Sequence, residues 1–164
     1  MTYGWLVIIP GMQPMWGCGI VPPKLLAQFN DRKTQIMAGE MLAALSALFS
    51  TSEYLRGRRV LHFIDNIGGL AALVGGKSSA EDLSSLATLY QMLIVTLGVR
   101  AWREYVESDA NVSDGPSRLL DAWSETPICN SLGAKQVPCV LPDITSLLTP
   151  PLDELKRFPL VRNL

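Results

Sequence analysis

The chain has 164 residues, of which 48% are hydrophobic and 18% are charged, and its formal net charge is -1. A chain of this length suits one domain with a sizeable core, and the composition excludes a disordered protein. The near-neutral charge gives no general attraction for nucleic acid, although Arg56, Arg58 and Arg59 in LRGRR are open to two interpretations, a solvated helix end or a local phosphate-binding patch.

The first predicted element is an antiparallel hairpin. Residues 3–9 and 15–21 are rich in Trp, Val and Ile, and a Pro-Gly turn separates them. Pro10 interrupts this apolar stretch before it reaches the roughly 18 residues that a membrane span needs. We therefore expect neither a membrane span nor a signal peptide.

A long helix is predicted next, over residues 34–50. Apolar residues recur at positions 37, 41, 45 and 48, and Thr34 is a plausible N-cap. Glu40 lies inside this helix, on a stripe of small apolar residues. Its carboxylate is therefore expected to face packed structure or a cleft rather than open water.

The middle of the chain predicts strands that alternate with helices. RVLHFID, residues 59–65, is typical of a central strand that is covered on both faces and ends at Asp65. A short glycine-bounded helix, GGLAALVGG, comes next, followed by a long helix that opens with a capping-box pattern at Ser79 and ends at Gly98. VRAWREYV predicts another strand, and the polar loop ESDANVSDG leads through Asp114 into a helix with Pro116 in its first turn.

The tryptophans and the single histidine are expected to serve packing. His62 lies inside a predicted strand and is interpreted as a packed strand histidine rather than a proton shuttle. The tryptophans suit core packing better than base stacking, because three of them lie among apolar neighbours in predicted strands or a helix. They are Trp5, Trp16, Trp102 and Trp123.

The cysteines indicate the compartment. Cys18, Cys129 and Cys139 are odd in number and form no C-x-x-C pair. A zinc site and a disulfide scaffold are therefore not expected. The sequence predicts an intracellular protein, cytoplasmic or nuclear, in a reducing compartment.

The amino-acid composition changes near residue 125. Six of the eleven prolines fall beyond this point, between short apolar pieces. We therefore predict one domain over residues 1–124 and a proline-rich C-terminal tail or linker over residues 125–164.

Three carboxylates are expected to meet at one edge of this α/β fold, a mixed sheet with helices on its faces. Ligands gather at the carboxyl ends of strands in such sheets, where Asp65 lies, and both Glu40 and Asp114 could reach that edge. Clustered carboxylates repel one another unless cations neutralise them, and their oxygens suit Mg²⁺ or Mn²⁺. Two such ions roughly 4 Å apart would activate a water against a phosphodiester. Taken singly, each carboxylate also has a structural interpretation, as a strand-end cap, a buried hydrogen-bonded group or a helix N-terminal charge.

Three motifs carry a family resemblance. GEMLAAL, FIDN and YVESDANVSDGPSR resemble the glutamate helix, the second-aspartate strand and the closing motif of ribonuclease H domains in reverse transcriptases, with the hepadnaviral and retrotransposon branches nearest. The resemblance covers residues 3–124. It implies a five-stranded mixed sheet flanked by helices and metal-dependent cleavage of RNA in an RNA/DNA hybrid, within a larger polyprotein. Glu40, Asp65 and Asp114 match its metal ligands, and the neighbours that position the loop or contact nucleic acid are matched by Asn66, Asn111, Ser117 and Arg118.

The chain departs from this family at its first strand. The family places an aspartate about six residues before a Gly-Trp or Gly-Gly step, and here Gly4-Trp5 comes so early that this ligand would lie upstream of Met1. The first strand is therefore expected to be incomplete or missing, and the chain to be weakly active or inactive. The alternative is a non-catalytic remnant that binds nucleic acid or its own polyprotein.

Two other nucleotide-handling classes fit less well. GGKS, residues 75–78, invites a phosphate-loop interpretation, but Ala71 stands where that motif needs glycine. Integrases and transposases of the same superfold place their glutamate last, on a late helix, whereas Glu40 comes first here.

Overall fold

The computed structural model describes residues 1–118 and 127–141. None of the helices in these ranges has the length and apolar character that a bilayer crossing requires. The strands are β1 (Thr2–Val7), β2 (Met15–Ile20), β3 (Arg59–Ile64), β4 (Arg100–Tyr105) and β5 (Lys135–Gln136). The helices are α1 (Pro23–Leu26), α2 (Ile36–Ser50), α3 (Ser52–Leu55), α4 (Ile67–Gly75), α5 (Glu81–Leu97), α6 (Asp114–Arg118) and α7 (Pro127–Ser131).

The described strands form two sheets. β1 and β2 pair antiparallel, and β5 pairs parallel with β2, which gives a mixed three-stranded hairpin sheet with the order β1-β2-β5. β3 and β4 pair parallel with each other and form a separate parallel pair. The predicted α/β class and the hairpin are confirmed, but the described strands do not join into a single sheet.

Glycines in β2 allow the hairpin sheet to pack its aromatic residues. Trp5 lies opposite Gly17 in the register, and a Cβ atom on Gly17 would come within 2.5 Å of the Trp5 ring. Tyr3 lies in the same way over Gly19. The Trp5 indole nitrogen donates a hydrogen bond to Ser46 Oγ of α2 at 3.2 Å, so this face of the sheet is fixed against the helix that carries Glu40.

A layer of helices connects the two sheets. α2 packs against β1 and also against α4 and α5, while α4 packs against both strands of the parallel pair. The centre of this layer is fully buried and apolar, as helical periodicity predicts for these segments. Its members include Met41, Leu42, Leu45, Leu86, Tyr90, Leu93 and Leu97.

The outer face of the parallel pair is open to solvent. The exposed fractions are 58% for Leu61, 53% for Phe63 and 68% for Trp102. The prediction that β3 is covered on both faces is therefore wrong, as is the core position expected for Trp102. Trp5 and Trp16 are buried as predicted. The described helices pack on the side of His62, so alternation along the strand turns the other row outward.

Two helix starts differ from the predictions. α2 begins at Ile36 after Gln35, which makes no side-chain capping bond, so the N-cap assigned to Thr34 is wrong. α5 begins at Glu81 after an uncapped Ala80, so the capping box at Ser79 is also wrong. Both starts lie within the one or two residues to which helix ends are usually defined.

The described part of the predicted tail packs on the domain. Cys129 of α7 is buried beside Trp16, β5 pairs with β2, and the Val140 main-chain nitrogen donates to Ser50 Oγ at 2.8 Å. The remainder of the predicted tail, residues 142–164, and the helix predicted through residue 124, beyond Arg118, lie outside the described residues. The boundary after residue 124 stays a prediction.

Candidate functional site

A cleft of about 730 Å³ lies where β1 begins and β3 ends. α2 contributes one wall, and the loop that precedes α6 contributes another. Its walls combine polar side chains with apolar ones such as Met1, Leu26 and Ile36. They include Thr2, Gly4, Gln35, Gly39, Glu40, Asp65, Asn66, Ser108, Asn111, Ser113, Asp114 and Ser117.

The three carboxylates singled out in the sequence all line this cleft. Glu40 projects from the second turn of α2, Asp65 follows the last residue of β3, and Asp114 is the first residue of α6. The buried Ile64 fixes the end of β3 against the core and so sets the position of Asp65. Three elements that are distant in sequence therefore converge on one cleft.

The carboxyl group of Glu40 has a strongly perturbed proton affinity. Burial, the charge of Asp65, a hydrogen bond with Asp65 and the charge of Asp114 together raise the pKa of Glu40 from 4.5 to about 7. The folded protein therefore holds this proton to a higher pH than an ordinary glutamate does. The cleft concentrates negative charge and offers a carboxyl that exchanges a proton near physiological pH.

The carboxylates are suitable ligands for a divalent cation, but too few of them are grouped together to hold one. Carboxylate oxygens are the ligands that Mg²⁺ and Mn²⁺ prefer. Glu40 and Asp65 interact directly, whereas Asp114 acts on Glu40 through its charge. Within residues 1–118 and 127–141, no three His, Cys, Asp or Glu side chains are grouped closely enough to hold a metal ion. The described part of the chain thus presents an incomplete ligand set.

The predicted neighbour Asn66 lines the cleft and has a structural role. Its side-chain oxygen accepts a hydrogen bond of 2.8 Å from the Gly69 main-chain nitrogen and caps the start of α4. The cap holds the turn that directly follows Asp65. Asn66 therefore stabilises the turn that positions Asp65.

Asn111 and Ser117 also line the cleft and organise the loop around Asp114. The Asn111 side-chain oxygen accepts from Ser113 Oγ at 2.7 Å, and Ser117 Oγ donates to the Asp114 main-chain oxygen at 2.8 Å. Arg118 closes α6, and its side chain lies outside the described residues.

Sequence reasoning missed the contact that anchors α6. Thr2 Oγ1 donates to the Ser117 main-chain oxygen at 2.6 Å, and a Cβ atom on Gly4 would lie 2.6 Å from the Pro116 carbonyl carbon. Only a residue without a side chain allows this approach. The glycine at the start of β1 was the available signal, but its partner is more than a hundred residues away.

Replacing Gly4 with alanine is expected to push α6 away from β1, because the new methyl group meets backbone atoms. We expect the free energy of unfolding to fall by about 1–2 kcal/mol in urea denaturation. Gly75→Ala is the matched control, since nothing lies within 4 Å of a Cβ atom there. Equal stability of the Gly4→Ala variant and the parent chain would contradict the close contact.

Comparison of the chain with family models, with curated proteins and with solved structures finds no match in any of the three.

Proposed function

We propose that the chain is a nuclease domain of the ribonuclease H type from a retroelement reverse transcriptase, which hydrolyses RNA in RNA/DNA hybrids with reduced activity. The observation that carries the proposal is the convergence of Glu40, Asp65 and Asp114 on one cleft, with the pKa of Glu40 raised to about 7. An RNase H-like fold is part of this proposal.

The chain's own groups suit the charge and proton demands of phosphodiester hydrolysis. Glu40 exchanges a proton near neutral pH and Asp65 accepts a hydrogen bond from it, so the pair could relay a proton beside the scissile phosphate. A phosphate would meet net negative charge in this cleft. The proposal therefore requires Mg²⁺ or Mn²⁺ as a cofactor that relieves the repulsion.

The incomplete ligand set supports the reduced activity. β1 and β3 each lack a strand partner on one side among the described residues, and the start of β1 and the end of β3 line the same cleft. A strand placed between them could run parallel to β3 and antiparallel to β1. An aspartate on such a strand would supply the further oxygen ligand that the proposal needs.

Cleavage of a labelled RNA/DNA hybrid in Mn²⁺ tests the proposal. We expect slow cleavage by the chain, a loss of at least roughly tenfold in Asp65→Asn, and faster cleavage by a version extended with an aspartate-bearing first strand, because an extra ligand completes the cation site. The same extension with asparagine is the matched control.

The second candidate function is a non-catalytic remnant that binds nucleic acid or the rest of its polyprotein. The lack of a complete metal-ligating group in the described ranges favours it. Folded parent and extended chains that both fail to cut the hybrid would replace the nuclease proposal with this one. A robust rate from the unextended chain that does not depend on Asp65 would contradict both.

A further inference from the structure

The outer face of the parallel pair combines exposed aromatic, aliphatic and basic side chains. In the register of this parallel ladder, Arg59 lies beside Arg100, Leu61 beside Trp102, and Phe63 beside Glu104. Paired residues in a parallel ladder point to the same side, and all six are exposed. We call these six residues the outer platform.

The aromatic members expose flat surface area that no other described residue covers. Trp102 and Phe63 are more than half exposed and lie on neighbouring strands one row apart. Large exposed apolar groups in a contiguous patch mark interaction sites. Aromatic rings presented on a sheet surface are suited to stacking with unpaired bases, and each stacked base contributes substantially to affinity.

Positive charge lies at one end of the outer platform. Arg59 and Arg100 form its first row, and Arg58 precedes Arg59 with its main-chain oxygen bonded to the Arg100 nitrogen. Glu104 lies at the opposite end and accepts a hydrogen bond from the Trp102 indole nitrogen at 3.2 Å. The charge gradient favours phosphates at the arginine end, while the bond to Glu104 holds the indole ring in place.

We propose that the outer platform binds single-stranded nucleic acid, with bases stacked on Trp102 and Phe63 and phosphates at Arg59 and Arg100. This site differs from the carboxylate cleft, whose lining includes none of the six platform residues. The combination of exposed rings and an arginine row favours a nucleic-acid strand, because its bases can stack on the rings while its phosphates pair with the arginines. The proposal does not depend on nuclease activity.

Fluorescence anisotropy of labelled oligo(dT) and oligo(U), titrated with the full chain, measures this binding. We expect Trp102→Ala to weaken binding about tenfold or more, because stacking on an aromatic ring contributes roughly 1–3 kcal/mol per base. Arg59→Ala with Arg100→Ala should lower the slope of log affinity against log salt by about 0.7 for each arginine. A blunt duplex should compete poorly because its bases are not available for stacking.

Controls separate the outer platform from the fold and from the cleft. Val95→Ala removes an apolar side chain that is 75% exposed on α5, and Lys77→Ala removes an exposed charge between α4 and α5; both should leave affinity unchanged. Asp65→Asn should retain oligonucleotide binding while losing cleavage. Equal affinity of the Trp102→Ala variant and the parent chain overturns the proposal. Self-association that Trp102→Ala abolishes, without oligonucleotide binding, overturns it in favour of a protein partner.

Discussion

In metal-free buffer at pH 8, the Glu40→Gln variant is expected to be more stable than the parent chain by about 2–3 kcal/mol, since one pKa unit corresponds to about 1.36 kcal/mol. The folded state raises the pKa of Glu40 from 4.5 to about 7 through burial and the charges of Asp65 and Asp114. The folded protein therefore binds a proton that the unfolded chain has released in this range. The contribution of Glu40 to the free energy of unfolding therefore falls as pH rises from 4.5 through 7, and a neutral glutamine removes this loss.

Urea denaturation of both chains across this pH range, in EDTA, measures the effect. The advantage of Glu40→Gln should be absent below pH 4.5 and fully developed above pH 7. Glu107→Gln, which neutralises an exposed carboxylate beyond β4, is the matched control and should show no such gain. A destabilised Glu40→Gln variant at pH 8 would show that burial and the neighbouring carboxylates do not disfavour ionised Glu40 as described. A residue that costs stability while it lines a polar cleft is typical of a functional site.

At acidic pH, His62 is expected to destabilise the parent chain by up to about 3 kcal/mol. Burial, and then the charge of Arg103, lower the pKa of His62 from 6.5 to about 4. Its Nδ1 lies 2.9 Å from the Tyr90 hydroxyl oxygen, and Arg103 lies over the Tyr90 ring at 5.3 Å. The unfolded chain therefore takes up this proton first as pH falls, and the contribution of His62 to the free energy of unfolding decreases as pH falls from 6.5 to 4.

The Glu40 and His62 contributions oppose each other between pH 4.5 and 6.5, so these two groups leave the parent chain nearly insensitive to pH there. In Glu40→Gln, only the His62 contribution of the pair remains, so the free energy of unfolding should rise as pH rises to 6.5. In His62→Gln, only the Glu40 contribution remains, so the free energy of unfolding should fall over the same pH range. Denaturation of the two variants and of the double variant checks this. Parallel slopes in the two single variants would show that at least one of the perturbed proton affinities is absent.

The sequence was sufficient to predict the elements that carry the site. Helical periodicity placed Glu40 on α2, and the apolar run before Asp65 predicted β3 and its end, because both signals depend on burial of local segments. The incomplete grouping of the three carboxylates among the described residues could not be predicted, and neither could the close approach of α6 to β1. That approach depends on Gly4, through a contact that leaves no local pattern.

The outer platform shows that an apolar strand sequence does not reveal which faces of the strand are buried. VLHFI has the apolar run of a strand that is buried on both sides, yet Leu61 and Phe63 are exposed. A strand whose outer face binds a partner can have the same composition as a strand whose two faces pack in the core. The sequence alone therefore could not distinguish these cases. β5 is only two residues long, too short to leave any strand pattern.

The side of β3 that pairs with no described strand also has a consequence for solubility. VLHFI is a five-residue apolar segment with high strand propensity, and exposed segments of this kind are templates for intermolecular cross-β assembly. Arg58 and Arg59 precede this segment and Asp65 follows it. These flanking charges disfavour aggregation, as gatekeeper residues do. Asp65 therefore ends this strand-forming segment as well as lining the cleft, and its neutralisation would remove one of the flanking charges.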